Sequence, residues 1–251
     1  MAKDGRVPTL ETRGLSKRFG AVQALCDVNF DVYAGEVVGL VGDNGAGKST
    51  LIKCISGIHP VDSGEIWFEG KKVSIQNPKD AADLGIQTVY QDLALCDNLD
   101  VVANLYLGRE AVNLVPLDEV TMERQSLKVL RGLSVSIPSV RTIIASLSGG
   151  QRQSVAISRA VMWNSKLVIL DEPTAALGVA QSQQVLELIR HLRSQGLAVV
   201  VISHNLAEIF DVVDRISVLR LGRNNGVFPI HGTSREQIVS AITGAEFGAE
   251  V

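Results

Sequence analysis

The sequence predicts an α/β protein: a mostly parallel sheet, a small antiparallel sheet beside it, and an inserted helical stretch. Three observations point there. Short, continuously apolar runs such as Val37–Val41 and 167–170 alternate with helical stretches, as buried parallel strands do in covered sheets. The N-terminal part instead leans toward alternation of apolar and polar residues, the pattern of strands with one solvated face. Between about 98 and 161 the chain reads mainly as helix.

Taken in order, 9–12, 24–33 and 64–68 are expected to form the antiparallel sheet, with turn-like glycines between some of them. Val37–Val41 is the first buried strand, and 51–55 opens an amphipathic helix after it. The middle stretch predicts helices over 101–107, 117–133 and 150–162. Further buried strands fall at 167–170, 197–202 and 216–221, with helices over 179–194 and 206–213. A short helix at 234–243 closes the pattern, and no regulatory domain is expected after it. The expectation is one domain over 7–245, with a core of 7–91 and 162–245 and a helical subdomain of 92–161. No internal repeat or low-complexity tract interrupts it.

The 251 residues are 46% hydrophobic, enough apolar content for a sizeable core. A net charge of −3 offers no global basic field, which argues against nucleic acid or an anionic membrane as a direct partner. Cys26, Cys54 and Cys96 are odd in number and form no C-x-x-C pair, so disulfides and zinc are not expected and a reducing cytosol is. The N-terminus lacks the apolar centre of a signal peptide. No run approaches the ~18 apolar residues needed to cross a bilayer.

Chemistry concentrates first at Gly42-Asp43-Asn44-Gly45-Ala46-Gly47-Lys48-Ser49-Thr50. It fits G-x-x-x-x-G-K-[ST] between an apolar strand and a helix, the context the pattern requires. Glycines let the backbone aim N–H groups at phosphate oxygens, and the helix start adds partial positive charge. Lys48 would reach the β- and γ-phosphates and the Ser49 hydroxyl would ligate Mg2+, so the chain is expected to bind a nucleoside triphosphate.

The apolar run 167–170 ends in Asp171 and Glu172. Strand C-termini face the ligand crevice of an open α/β sheet, which would bring both acids beside the phosphate loop. Asp171 suits Mg2+, and Glu172 suits orienting or deprotonating a water. By themselves such acids commonly just cap the next helix. Ser148, Gly149, Gly150 and Gln151 have capping-box spacing, S-x-x-Q, at the start of a helix. A cap does not need two glycines, each costing ~1 kcal/mol in a helix. Bare backbone there suits close approach of a phosphate.

Together these motifs resemble ATP-binding cassette ATPases over nearly the whole chain. The resemblance implies roles for three more residues, each unremarkable alone. Phe19 would stack on adenine, Gln91 would contact Mg2+ and sense a partner subunit, and His204 would contact the γ-phosphate and the catalytic water. It also implies two cassettes sandwiching two ATP molecules head to tail, each between 42–50 of one subunit and 148–151 of the other. The segments 92–99, 101–110 and 175–179 look like the branch serving monosaccharide importers of the ribose, xylose, galactose and fructose type, in a single-cassette form. Implied partners are a second ATPase subunit, membrane permease subunits, and an external sugar-binding protein acting through them. The implied place is the inner face of the cell membrane. A soluble cassette ATPase in DNA repair or on ribosomes is the alternative, but neither sustained heptads nor a basic linker is present.

One position departs from the pattern. The family usually has an aspartate where Gly178 stands, and that carboxylate contacts the opposite subunit's phosphate loop. Either its loss loosens coupling between the two sites, or the backbone at 178 needs a conformation reserved to glycine.

Overall fold

The computed structural model describes residues 5–111 and 117–245. Residues 112–116, inside the expected helical subdomain, lie outside the described residues.

The chain opens with β1 (Leu10–Phe19), β2 (Val22–Val32), β3 (Val37–Val41), α1 (Lys48–Ile55), β4 (Ser63–Phe68), β5 (Lys71–Val73), α2 (Pro78–Leu84) and β6 (Ile86–Val89). Three helices follow: α3 (Val101–Tyr106), α4 (Glu119–Gly132) and α5 (Gly149–Val161). The remainder is β7 (Leu167–Asp171), α6 (Val179–Ser194), β8 (Ala198–Ile202), α7 (Leu206–Val212), β9 (Arg215–Arg220), β10 (Arg223–Pro229) and α8 (Arg235–Thr243).

The N-terminal alternation becomes an antiparallel sheet of order β2-β1-β4-β5. The apolar runs become a second sheet of order β10-β9-β3-β8-β7-β6, parallel except where β10 pairs with β9. Within that sheet β3, β7 and β8 are apolar on both faces, and their side chains still alternate between two cores. Val38, Leu40, Ile169, Val200 and Ile202 face one side, where α1 and the antiparallel sheet cover them. Val37, Val41, Val168, Leu170, Val199 and Val201 face the other, packed by residues of α5, α6, α7 and α8. One face of the parallel sheet is thus covered largely by the antiparallel sheet rather than by helices alone.

A third cluster lies among α3, α4 and α5, with Leu105, Tyr106, Met122, Leu130 and Val155 at its centre. Helix α5 joins the clusters, because its Ala156, Ile157 and Ala160 belong to the sheet-side core. The cysteines are unpaired, and burial pushes the Cys54 thiol up to about 11. Among the described residues no helix is long and apolar enough to cross a membrane.

Sequence reasoning did not anticipate β5, α2, β6 and β10. Helix α2 carries a legible start: Asn77 caps it, Pro78 is its first residue, and Asp80 completes a capping box. Strand β6 hid because its centre is Gln87-Thr88, and β10 because it contains Asn224, Asn225 and Gly226.

Candidate active site

Parallel pairing aligns the C-terminal ends of four strands. Val89 lies opposite Leu170, Asp171 opposite Ile202, and Leu40 opposite Ile202 on the other side of β8. The segments that leave these strands at one edge carry Gln91, Glu172, His204 and the loop beginning at Gly42.

That loop is shaped by glycines that accept no substitute. A side chain at Gly42 (φ 155°) would stand 2.2 Å from the Leu219 carbonyl oxygen. At Gly47 (φ 103°) it would stand 2.8 Å from the Ala24 carbonyl oxygen. Gly47 is also the N-cap of α1, and no side chain caps that helix. Its first amides therefore have no protein acceptor supplied by a cap. Lys48 Nζ donates to the Gly42 carbonyl at 2.7 Å and to the Asp43 carbonyl at 3.0 Å. Burial lowers the Lys48 pKa, opposed by Glu172, Asp43 and Asp171. Asp43 bonds back within the loop, accepting from the Asn44 N–H at 2.8 Å and the Ala46 N–H at 3.1 Å.

The acids behave differently from one another. Burial raises the Asp171 pKa, the negative charge of Glu172 adds to this, and Lys48 and Lys53 oppose it. His204 Nδ1 lies 2.9 Å from a Glu172 carboxylate oxygen, with the Glu172 side chain mostly buried and that of His204 largely exposed. The Glu172 backbone is left-handed (φ 50°), a conformation that costs a non-glycine residue on the order of 1 kcal/mol and is held here by its N–H donating to Ile202 O at 2.9 Å. A carboxylate on a left-handed backbone, 2.9 Å from a histidine and near a partly buried lysine and aspartate, has the perturbed surroundings that mark candidate reacting groups.

Phe19 ends β1 with 42% of its surface exposed. Its ring meets His59 edge-on at 5.1 Å, and Lys17 Nζ lies 5.4 Å from it. The histidine at 59, which no motif marked, is thus a neighbour of the expected adenine platform. Gln91 is exposed, two residues beyond β6.

Ser148, Gly149, Gly150 and Gln151 start α5 with a complete capping box: Ser148 Oγ accepts from the Gln151 N–H and Gln151 Oε1 from the Ser148 N–H. The two glycines have a cause inside this chain. A side chain at Gly149 would stand 2.9 Å from Leu177, and one at Gly150 3.1 Å from Gln181. Close packing against Leu177 and the first turn of α6 favours small residues at both positions. Among the described residues no hydrogen bond or ion pair joins 148–151 to 42–50. Gly178 caps α6 at φ −73° and a side chain there would meet nothing within 4 Å. Its backbone does not need glycine, which removes that explanation for the missing carboxylate.

Two arginines of α5 escaped sequence reasoning. After Gln91 the chain turns through Leu93 (φ 58°) and Ala94 (φ 45°), two successive left-handed residues. Arg159 donates to the Leu93 carbonyl at 3.0 Å and the Ala94 carbonyl at 2.7 Å. Arg152 donates to Ile144 O at 3.2 Å and pairs with Asp97. The helix that starts at Ser148 therefore grips the loop that follows Gln91.

Residues 25–175 match the family model described as ABC transporter. The chain is 48% identical to the xylose/arabinose import ATP-binding protein of Sulfolobus acidocaldarius, over 93% of this chain and 92% of that one. It is 46% identical to the fructose import ATP-binding protein of Rhizobium meliloti, over 95% of each. Among solved structures it is similar to a dimeric ATP-binding cassette in a post-hydrolysis state bound to ADP and phosphate. That likeness has a TM-score of 0.74 and 25% identity, and it covers 89% of this chain and all of the other. The strand-edge crevice, the phosphate loop and the family match agree: this chain belongs to the ABC transporter family.

Proposed function

We propose that the chain is the ATP-hydrolysing subunit of a monosaccharide importer, acting as one of two cassettes that close over ATP. The observation that carries the hydrolytic part is the left-handed Glu172, whose carboxylate lies 2.9 Å from His204 Nδ1 and near Lys48. The sugar part rests on the two relatives that match nearly end to end and are both named for sugar import.

In this reading the backbone of 42–50 and the uncapped start of α1 cradle the phosphates, and Lys48 exchanges its two carbonyl partners for phosphate oxygens. Ser49, Gln91 and Asp171 offer oxygens, the donors a hard cation takes. Among the described residues no three His, Cys, Asp or Glu cluster into a complete metal site. Mg2+ fits such a set, since it binds through one or two carboxylates together with phosphates. When bound, it would neutralise charge on the transferring phosphoryl group. Glu172 accepts the proton of the attacking water, while His204 holds that carboxylate in position and faces the γ-phosphate. Phe19 stacks on adenine.

Residues 148–151 lie outside this crevice and serve the ATP of a second copy, where the α5 dipole adds stabilisation only on closure. The dimeric cassette similar in fold supports that pairing. Residues 92–161 act as a helical subdomain within a single cassette of 7–245, and the face near 91–105 docks the permease. The grip of Arg152 and Arg159 on the loop after Gln91 links nucleotide state to that face. An external sugar-binding protein completes the importer, which places this chain on the inner face of the membrane. The purified protein should hydrolyse ATP only with a divalent cation, and deleting its gene should abolish uptake of ribose, xylose, galactose or fructose. Undiminished uptake of all of them would overturn the sugar reading.

A further inference from the structure

Helix α1, whose start carries the phosphate loop, closes at its far end in a turn at Gly57 (φ 75°). The Gly57 N–H donates to Cys54 O at 3.2 Å and the Ile58 N–H to Lys53 O at 2.9 Å, the paired bonds of a left-handed helix end. A side chain at Gly57 would stand 2.3 Å from the Asn77 carbonyl oxygen, so glycine fixes the shape of this turn. The His59 N–H donates to the same Lys53 oxygen at 3.0 Å. The phosphate helix therefore determines where His59 stands.

His59 stands against Phe19. The ring centroids are 5.1 Å apart and the planes are inclined at 72°, the T-shaped arrangement that aromatic pairs favour. Lys17 reaches the same ring. It is only 8% exposed, and its Nζ lies 5.4 Å from the ring centroid, within range of cation–π attraction. A lysine so buried needs a partner. Asp62 supplies it, accepting from Lys17 Nζ at 2.8 Å and from the Arg18 N–H at 2.7 Å. The Asp62 N–H in turn donates to Ser16 O at 3.1 Å, which ties this group back to β1. Phe19 is thus held by a second ring and by a fixed cation, while 42% of its surface remains exposed.

We infer that His59 and Lys17 are positioning residues for the nucleotide base: they fix the Phe19 ring before ATP arrives and tie it to the far end of the phosphate helix. The inference rests on Phe19 as the adenine platform and specifies what holds that platform still. A mobile ring must be ordered when the base binds, which weakens the complex, whereas a ring already held has lost that freedom on folding. Because α1 sets the place of His59, the base surface and the phosphate loop keep one spacing.

The test titrates each variant with ATP and with inorganic tripolyphosphate, which offers phosphates without a base. His59→Ala should weaken ATP binding about two- to tenfold, the worth of one edge-to-face pair, and leave tripolyphosphate binding unchanged. His59→Phe should restore ATP affinity, because it keeps a ring at that place. Lys17→Met removes the cation but keeps an apolar stem, and should weaken ATP to a similar degree. Added to Phe19→Ala, which removes the platform itself, neither change should weaken ATP further. Wild-type ATP affinity in His59→Ala and Lys17→Met, with affinity lost in Phe19→Ala, would overturn the inference and leave the platform standing. Equal loss of ATP and tripolyphosphate would also overturn it, because both residues would then act on the phosphate helix alone. Wild-type ATP affinity in Phe19→Ala would remove the platform and the inference with it.

Discussion

Helices α1 and α5 both begin at glycine-rich segments expected to meet phosphate, yet their starts are built in opposite ways. Helix α1 follows a left-handed Gly47 with no side-chain cap, and its neighbours Lys48 and Asp171 both have pKa values displaced by burial. Helix α5 has a full capping box, and its glycines pack closely on Leu177 and Gln181. The first start lacks a side-chain cap and holds a lysine and an aspartate whose charges burial disfavours, whereas the second is capped within its own chain. In the reading proposed here, this difference puts binding and chemistry in the α1 crevice and makes α5 a preformed platform for a second subunit.

The largest effect that could break this contrast is on turnover. Glu172→Gln should lower ATP hydrolysis roughly 10²–10⁴-fold while ATP still binds, the usual worth of a general base. Steady-state hydrolysis alongside nucleotide titration checks it, and wild-type turnover would remove Glu172 from the chemistry. Next comes affinity: Lys48→Ala should weaken ATP binding about tenfold or more, because it removes a cation poised for the phosphates. Ser148→Ala should instead leave ATP affinity of the isolated subunit unchanged and cost about 1 kcal/mol of stability through the lost cap.

Asp171 sharpens the contrast through pH. Its native pKa is raised, so its contribution to stability is fully present below the unfolded value near ~3.9 and is lost as pH rises through the native pKa. At neutral pH the ionised group is a net cost to the fold. Asp171→Asn should therefore raise Tm at pH 7 and flatten the pH dependence in that window, while weakening Mg2+-dependent ATP binding. Thermal melts from pH 4 to 8 measure it. The smallest effect is at Gly178. With φ −73° and open space, Gly178→Asp should add a better cap and stabilise by a few tenths of a kcal/mol. If the missing carboxylate loosens the dimer, the variant should also raise the Hill coefficient for ATP. Greater stability with unchanged cooperativity would mean coupling runs elsewhere.

The fold class was legible because burial on both faces of β3, β7 and β8 leaves uninterrupted apolar runs, and because Gly42, Gly47 and Lys48 stand at fixed spacing between strand and helix. Strand β6 was not legible, since Gln87 and Thr88 break the apolar run at its centre. The roles of Arg152 and Arg159 were equally hidden, because they bond to Asp97 and to carbonyls at Leu93 and Ala94, far away in sequence. The two glycines at 149 and 150 suggested an approaching phosphate. The structure adds close packing against Leu177 and Gln181, which needed the position of α6 to be known. The left-handed backbone of Glu172 likewise has no signature in residue type.

The account's central claim is that each ATP site combines the α1 crevice of one subunit with the α5 start of another. Complementation tests it most directly. Lys48→Ala and Ser148→Arg subunits, each inactive alone, are mixed and assayed for ATP hydrolysis. A heterodimer then holds one doubly defective site and one intact site, made of Lys48 from one subunit and Ser148 from the other. Random pairing predicts recovery of up to about a quarter of wild-type activity. A mixture no more active than its two components would contradict a shared site and return the whole of the chemistry to a single chain.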